Sequence, residues 1–137
     1  GIPHIVTQQY TKGIGETVLT VAAAIGDFEP IDKTTFSCMS HLDFVNQLEM
    51  AEKPNVIVCG IEAHICVQQT VEQLLAEGYN VYVPVDCCSS RSQNDYLWAT
   101  ERMEKSGAVM TTYESILYEL LKDSKAEGFK EISKIVK

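Results

Sequence analysis

A chain of 137 residues with 19 acidic and 11 basic side chains, formal net charge −8, has room for one domain with a real core and excludes a second. That acidity argues against nucleic acid or an anionic membrane as a partner, because both demand clustered Lys and Arg. No apolar run approaches the roughly twenty residues of a membrane span, and the 5 cysteines lack the paired spacings of a zinc site or a disulfide framework.

A reducing, cytoplasmic setting is therefore expected, though an address signal ahead of Gly1 would change that expectation. Taken in order, His4 to Gln8 is a short β-rich run, with Pro3 at the strand start where its missing N–H costs least. Gly13, Gly15, Gly26 and Pro30 break up the next stretch, so Val18 to Ile25 reads as loop with at most a helical turn. Lys33 to Phe36 reads as a brief strand. Ser40 stands as N-cap before His41 to Ala51, where Leu42, Val45 and Leu48 keep helical spacing.

Pro54 and Gly60 bound an apolar, mostly β-branched run from Asn55, the composition of a strand buried on both faces of a parallel sheet. A helical pattern then opens at Cys66: Val67, Val71, Leu74 and Leu75 form one stripe, and Gly78 supplies a stop. Tyr79 to Val85 is a second buried strand. Ser92 caps a helix through Lys105 with Tyr96, Ala99, Thr100 and Met103 on one face, and Ala108 to Thr111 is a further strand. Thr111 and Glu114 have capping-box form ahead of Leu117, Leu120 and Leu121, and the Lys-rich tail beyond Asp123 reads as a terminal surface helix.

Strands alternating with helices imply βαβ crossovers, hence an α/β domain of three layers, α/β/α, around a mostly parallel sheet. Ligands of such sheets sit beyond the carboxyl ends of the strands. Gln8-Gln9-Tyr10, Lys33, Cys66 and Asp86 all fall there. Cys66 lies off the apolar stripe, with Gln69, Thr70 and Gln73 as its helical neighbours. Near a helix N-terminus, unpaired N–H groups and the positive dipole end favour the thiolate, the nucleophilic form. Position alone leaves open the ordinary inert buried cysteine. Asp86 reads as bonding the turn that follows it, and Cys87 and Cys88 as structural.

The run Gly60-Ile61-Glu62-Ala63-His64-Ile65-Cys66-Val67-Gln68-Gln69-Thr70 resembles the cysteine loop of isochorismatase-like cysteine hydrolases, especially the eukaryotic isochorismatase domain-containing proteins. Ile2 to Gly13, Lys33-Thr34-Thr35-Phe36-Ser37 and Asp86 to Ser92 continue the likeness in the same order, so it spans nearly the whole chain. It implies that Cys66 attacks a carbonyl to give a thioester, with Lys33 as its electrostatic partner. The oxyanion would be held by the backbone N–H groups of Glu62 and Cys66, with a cis peptide between Ile61 and Glu62. Gln9, Tyr10, Phe36 and His64 are candidates for the substrate side of the pocket.

Metal-containing nicotinamidases of the same superfamily carry Asp and His ligands where this chain has Gln8-Gln9-Tyr10, so no metal and no cofactor are expected. The cysteine-bearing branch implies a small-molecule substrate with an amide or related C–N bond. The competing reading is an oligomeric interaction domain with little turnover, which Glu62 would favour by repelling a thiolate. Relatives of the fold self-associate, and Tyr96 or Trp98 would supply an aromatic anchor for a homo-oligomer. The likeness also begins at the family's second strand. It implies a preceding strand, ending in a general-base Asp, between His4–Gln8 and Asn55–Cys59; residues 1–137 are thus expected to be a single domain lacking its first strand and helix.

Overall fold

The computed structural model describes residues 1–137. Its elements in chain order are β1 (Thr7–Gln9), α1 (Thr11–Ile14), α2 (Leu19–Ile25), β2 (Ile31–Lys33), α3 (Leu42–Met50), β3 (Asn55–Ile57), β4 (Gly60–Ile61), α4 (Gln68–Ala76), β5 (Asn80–Pro84), β6 (Cys88–Ser89), α5 (Gln93–Lys105), β7 (Val109–Thr111), α6 (Tyr113–Leu121) and α7 (Phe129–Ile135). Every strand pair is parallel: β1 with β2, β5 between β3 and β7, and β4 with β6. α4 connects β3 to β5 across β4, and α5 lies between β5 and β7, which are the βαβ crossovers that parallel neighbours require. The α/β reading holds.

The core forms where the α4 stripe meets β5. Val67, Val71 and Leu74 pack with Val81 and Val83 and with Met103 of α5, while Ile31, Phe44, Leu48 and Ala108 extend the cluster. Leu75 of the predicted stripe is only half-buried. On α5, Ala99 and Met103 are buried as the spacing requires, and Ser92 accepts a bond from the Asp95 N–H at 3.4 Å.

Several expected boundaries move. Val18–Ile25 holds a helix, α2, in place of a loop. The strand expected over Lys33–Phe36 ends at Lys33, because the following backbone curls to meet that residue's own ammonium. Ser40 does not cap α3; it lies in a 3-10 turn capped by Ser37, whose hydroxyl accepts from Met39 N–H at 3.2 Å. Thr112 rather than Thr111 caps α6, and the buried residue on that helix is Ile116, with Leu120 exposed. Asp86 reaches further than the next turn: its carboxylate accepts from the Tyr113 N–H at 2.9 Å and so covers the start of α6.

Strand β3 is not buried on both faces. Asn55 and Ile57 are exposed and Val56 is half-buried. The reason is a gap in the sheet. β1 and β3 each carry a ladder on one side only and do not pair with one another. Ile31 N–H donates to Val6 and Tyr10 N–H to Lys33 at 2.9 Å each, so by alternation the Thr7 and Gln9 amides point away from β2. Across the gap, Asn80 N–H donates to Pro54 and Val58 N–H to Tyr82, leaving Asn55 and Ile57 to face the other way. Between these two edges runs a groove of about 530 Å³, lined on one wall by Ile5 and Thr7, on the other by Val56 and Val58, and floored by Phe44 and Leu48.

Candidate active site

Lys33 ends β2 and is only 3 % exposed. Its Nζ donates to Gln9 Oε1 at 2.6 Å, to the Thr35 carbonyl at 2.9 Å and to the Phe36 carbonyl at 2.8 Å. An ammonium has three donors, and all three are used. Each acceptor is neutral, so this buried charge lies among dipoles without a bonded carboxylate.

Gln9 ends β1 directly opposite Lys33 in the ladder. Its Nε2 donates to the Thr34 carbonyl at 2.9 Å, which turns Oε1 toward the ammonium. The same Oε1 accepts from Cys66 Sγ at 3.8 Å. Thiol and ammonium therefore meet on one oxygen, although their residues are 33 positions apart in sequence.

Cys66 stands in a π-helical turn, Ala63–Val67, that leads into α4, rather than in the first turn of α4 itself. The Glu62 carbonyl accepts from both Ile65 and Val67 N–H, at 3.1 and 3.3 Å, and the latter is the five-residue spacing of a π turn. The Ile61–Glu62 peptide is cis, as expected from the resemblance. Buried Thr70 donates to the Cys66 carbonyl at 2.7 Å and accepts from Cys38 N–H at 3.0 Å. Beside it, the Ser37 hydroxyl bonds Gln73 Oε1. These bonds fix the segment that follows Lys33 against α4, directly after the turn that carries Cys66. The sequence shows Thr70 and Gln73 only as polar neighbours of the thiol; their partners come from a distant loop.

Glu62 does not present its charge to the thiol. Its carboxylate accepts from Arg91 N–H at 2.9 Å and lies 3.9 Å from the Arg91 guanidinium and 3.7 Å from His64 Nδ1. His64 in turn bonds Ser90 Oγ through Nδ1 at 2.9 Å, with Asp95 4.0 Å from Nε2. Of the pocket candidates, then, Gln9 joins Lys33 and Cys66, while His64 is turned toward Ser90 and α5. Phe36 contributes its carbonyl, its side chain being exposed; the exposed Tyr10 lies over Gly13, where a Cβ would come within 2.3 Å of the ring.

Three further thiols are held toward the protonated form. Burial pushes Cys59 up, and burial with the neighbouring Asp86 does the same to Cys87. Cys88 is pushed up to about 11, chiefly by burial. At neutral pH these three are poor nucleophiles.

Residues 1–115 match the isochorismatase domain. Over 135 residues the chain is 41 % identical to isochorismatase domain-containing protein 2 of Xenopus laevis, covering 98 % of this chain and 65 % of that relative, so it spans just under two thirds of the relative's length. Among solved structures, the MAR1 ribonuclease of Caenorhabditis elegans superposes with a TM-score of 0.90 at 44 % identity, over 98 % of this chain and 69 % of that one. The Escherichia coli YcaC gene product, described as an octameric hydrolase of unknown specificity, superposes with a TM-score of 0.83 at 24 % identity over 88 % of this chain and 60 % of its own, a likeness of fold.

Proposed function

Because this chain belongs to the isochorismatase family of hydrolase-like domains, we propose that it provides the nucleophile and its cationic partner for a cysteine hydrolase acting on a small substrate with an amide or related C–N bond. The observation that carries this reading is the meeting of Lys33 Nζ and Cys66 Sγ on Gln9 Oε1. In this reading the thiolate attacks the substrate carbonyl carbon and the C–N bond breaks. The thiol proton passes by way of a carboxylate base to the leaving nitrogen, and water then cleaves the thioester. Lys33 favours the thiolate, and the backbone N–H groups of Glu62 and Cys66 receive the oxyanion. The carboxylates nearest the strand ends are engaged elsewhere: Asp32 accepts from the Thr11 N–H and hydroxyl, and Asp86 caps α6. We assign the base to a strand that fills the groove between β1 and β3.

The competing interaction-domain reading rests on Glu62 repelling a thiolate. With that carboxylate engaged by Arg91 and His64, the objection is weakened. The likeness to a ribonuclease raises RNA as a substrate, but an excess of 8 acidic over basic side chains opposes phosphate binding. A panel of small amides, acyl esters and a short RNA, run on the chain with a carboxylate-ending strand supplied to the groove and with Cys66→Ala as control, tests the proposal. Hydrolysis of an amide that the control lacks supports it; Cys66-independent turnover, or cleavage of the RNA alone, would overturn it. Iodoacetamide at neutral pH is expected to modify Cys66 ahead of Cys38, Cys59, Cys87 and Cys88, and a rate no faster than that of those four would count against an activated thiol.

A homo-oligomer is also proposed, with a revised anchor. The Tyr96 hydroxyl donates to the Val85 carbonyl at 2.7 Å, so that ring is tied inward and only Trp98, 62 % exposed, is free for a partner. Light scattering is expected to return a multiple of 15.2 kDa. Trp98→Ser should lower that mass, and a monomer in the parent chain would remove the idea.

A further inference from the structure

Resting on the reading of Cys66 as nucleophile, we propose that Gln9 is a latch that keeps the resting group a protonated thiol. The orientation of its amide is set on both sides. Nε2 donates to the Thr34 carbonyl at 2.9 Å while Oε1 receives the Lys33 ammonium at 2.6 Å. Flipping the amide would lose both bonds and point its NH2 group at an ammonium. Oε1 is therefore the atom turned toward Cys66, 3.8 Å from Sγ, and a carbonyl oxygen can only accept. The thiol must donate there, which favours S–H over S⁻; a thiolate in the same place would face the negative end of the amide dipole.

The arrangement also divides Lys33 from its partner. All three ammonium donors are committed to Gln9, Thr35 and Phe36, so none is left for the sulfur while Gln9 stays in place. Moving the Gln9 amide aside does two things together: it removes the acceptor from the thiol and frees one Lys33 donor to meet the thiolate. Lys33 is the one charged group bonded to that oxygen. Gln9 thus acts on the reacting atom itself, and it sets when the nucleophile becomes charged.

Gln9→Met and Gln9→Glu, in the full 137-residue chain, test this directly. Iodoacetamide labelling of the Cys66 peptide at neutral pH, read by mass spectrometry, should speed up at least threefold in Gln9→Met, with Cys59 and Cys88 as internal references that do not change. Gln9→Glu puts an anion on the same spot and should slow Cys66 below the parent chain. Ultraviolet thiolate absorbance as a function of pH gives the same order without depending on reagent access. Should Gln9→Met not fold, Gln9→Asn, whose shorter amide withdraws from the sulfur, takes its place with the same expectation. Equal thiolate populations in parent and Gln9→Met, or a smaller one in Gln9→Met, overturn the latch. The outcome is separable from the hydrolase reading: once a strand ending in a carboxylate fills the groove, turnover of the panel through Cys66 with no effect of Gln9 on labelling refutes the latch alone, and inactivity on the panel beside the ordered shifts keeps the latch and loses the hydrolase.

Discussion

Once the groove holds a strand ending in a carboxylate, Lys33→Met and Cys66→Ala are each expected to lower amide hydrolysis by about 10³-fold or more, and the double variant to lose little beyond either single change. Groups that act as one unit are grossly non-additive, since removing either leaves the other without a task. The stability of Lys33→Met should behave differently. An ammonium buried without a counter-ion costs several kcal/mol of desolvation, here offset only by three neutral oxygens. Methionine removes that cost but leaves Gln9 Oε1 with only the Cys66 thiol and the Thr35 and Phe36 carbonyls short of a donor, at about 1–3 kcal/mol for each that water cannot reach. The two effects oppose one another. A net change within about 2 kcal/mol is expected by urea denaturation, set against a loss of activity worth about 4 kcal/mol in the barrier. A collapse in stability with unchanged activity per folded molecule would make Lys33 a structural residue.

The contrast between what the sequence reveals and what it conceals follows from which interactions are local. The stripe Val67, Val71 and Leu74 is legible because burial on one helix face imposes a period, and β5 is legible because both of its neighbours are present and its residues must be apolar. Ser92 is legible as a cap because its bond to Asp95 spans three residues. The start of α4 is not: a π turn differs from an α turn by one hydrogen bond, and no composition marks it. Neither is the end of β2, which is fixed by where the Lys33 side chain finds carbonyls. Cys66 and Lys33 are marked by motif, yet their meeting on Gln9 depends on the register that sets Gln9 opposite Lys33 and on Thr70 clasping Cys38. His64 is a pocket candidate in sequence because it lies two residues from Cys66; the π turn and Ser90 carry its ring elsewhere. Exposure of Ile57, at 42 %, was invisible because a strand's burial depends on neighbours that its own sequence does not contain.

A strand supplied to the groove is expected to produce the largest change in stability. Gln9, at the carboxyl end of β1, meets Cys66, which lies beyond β3, so the two edges run the same way and an inserted strand would run with them. Buried on both faces, it should be continuously apolar, and its last residue would arrive beside Lys33, where a carboxylate would give the ammonium its anion. A designed segment of six Val and Ile residues ending in Asp, fused ahead of Gly1, needs a linker of at least about twelve residues to make the parallel return. Burying roughly 100 Å² of apolar surface per residue at about 25 cal/mol/Å² gives on the order of 15 kcal/mol, against about 9 kcal/mol for ordering six residues. A net gain of about 6 kcal/mol should appear in urea denaturation. Hydrogen exchange should slow at the amides of Thr7, Gln9, Asn55 and Ile57, which face the gap, and hardly change at Val81 and Val83 in β5. Ending the segment in Asn instead of Asp should keep the stability and the slowed exchange while abolishing amide hydrolysis. Unchanged exchange at those four amides, with an unchanged urea midpoint, would show that the groove does not accept a strand and that the carboxylate base must be sought elsewhere.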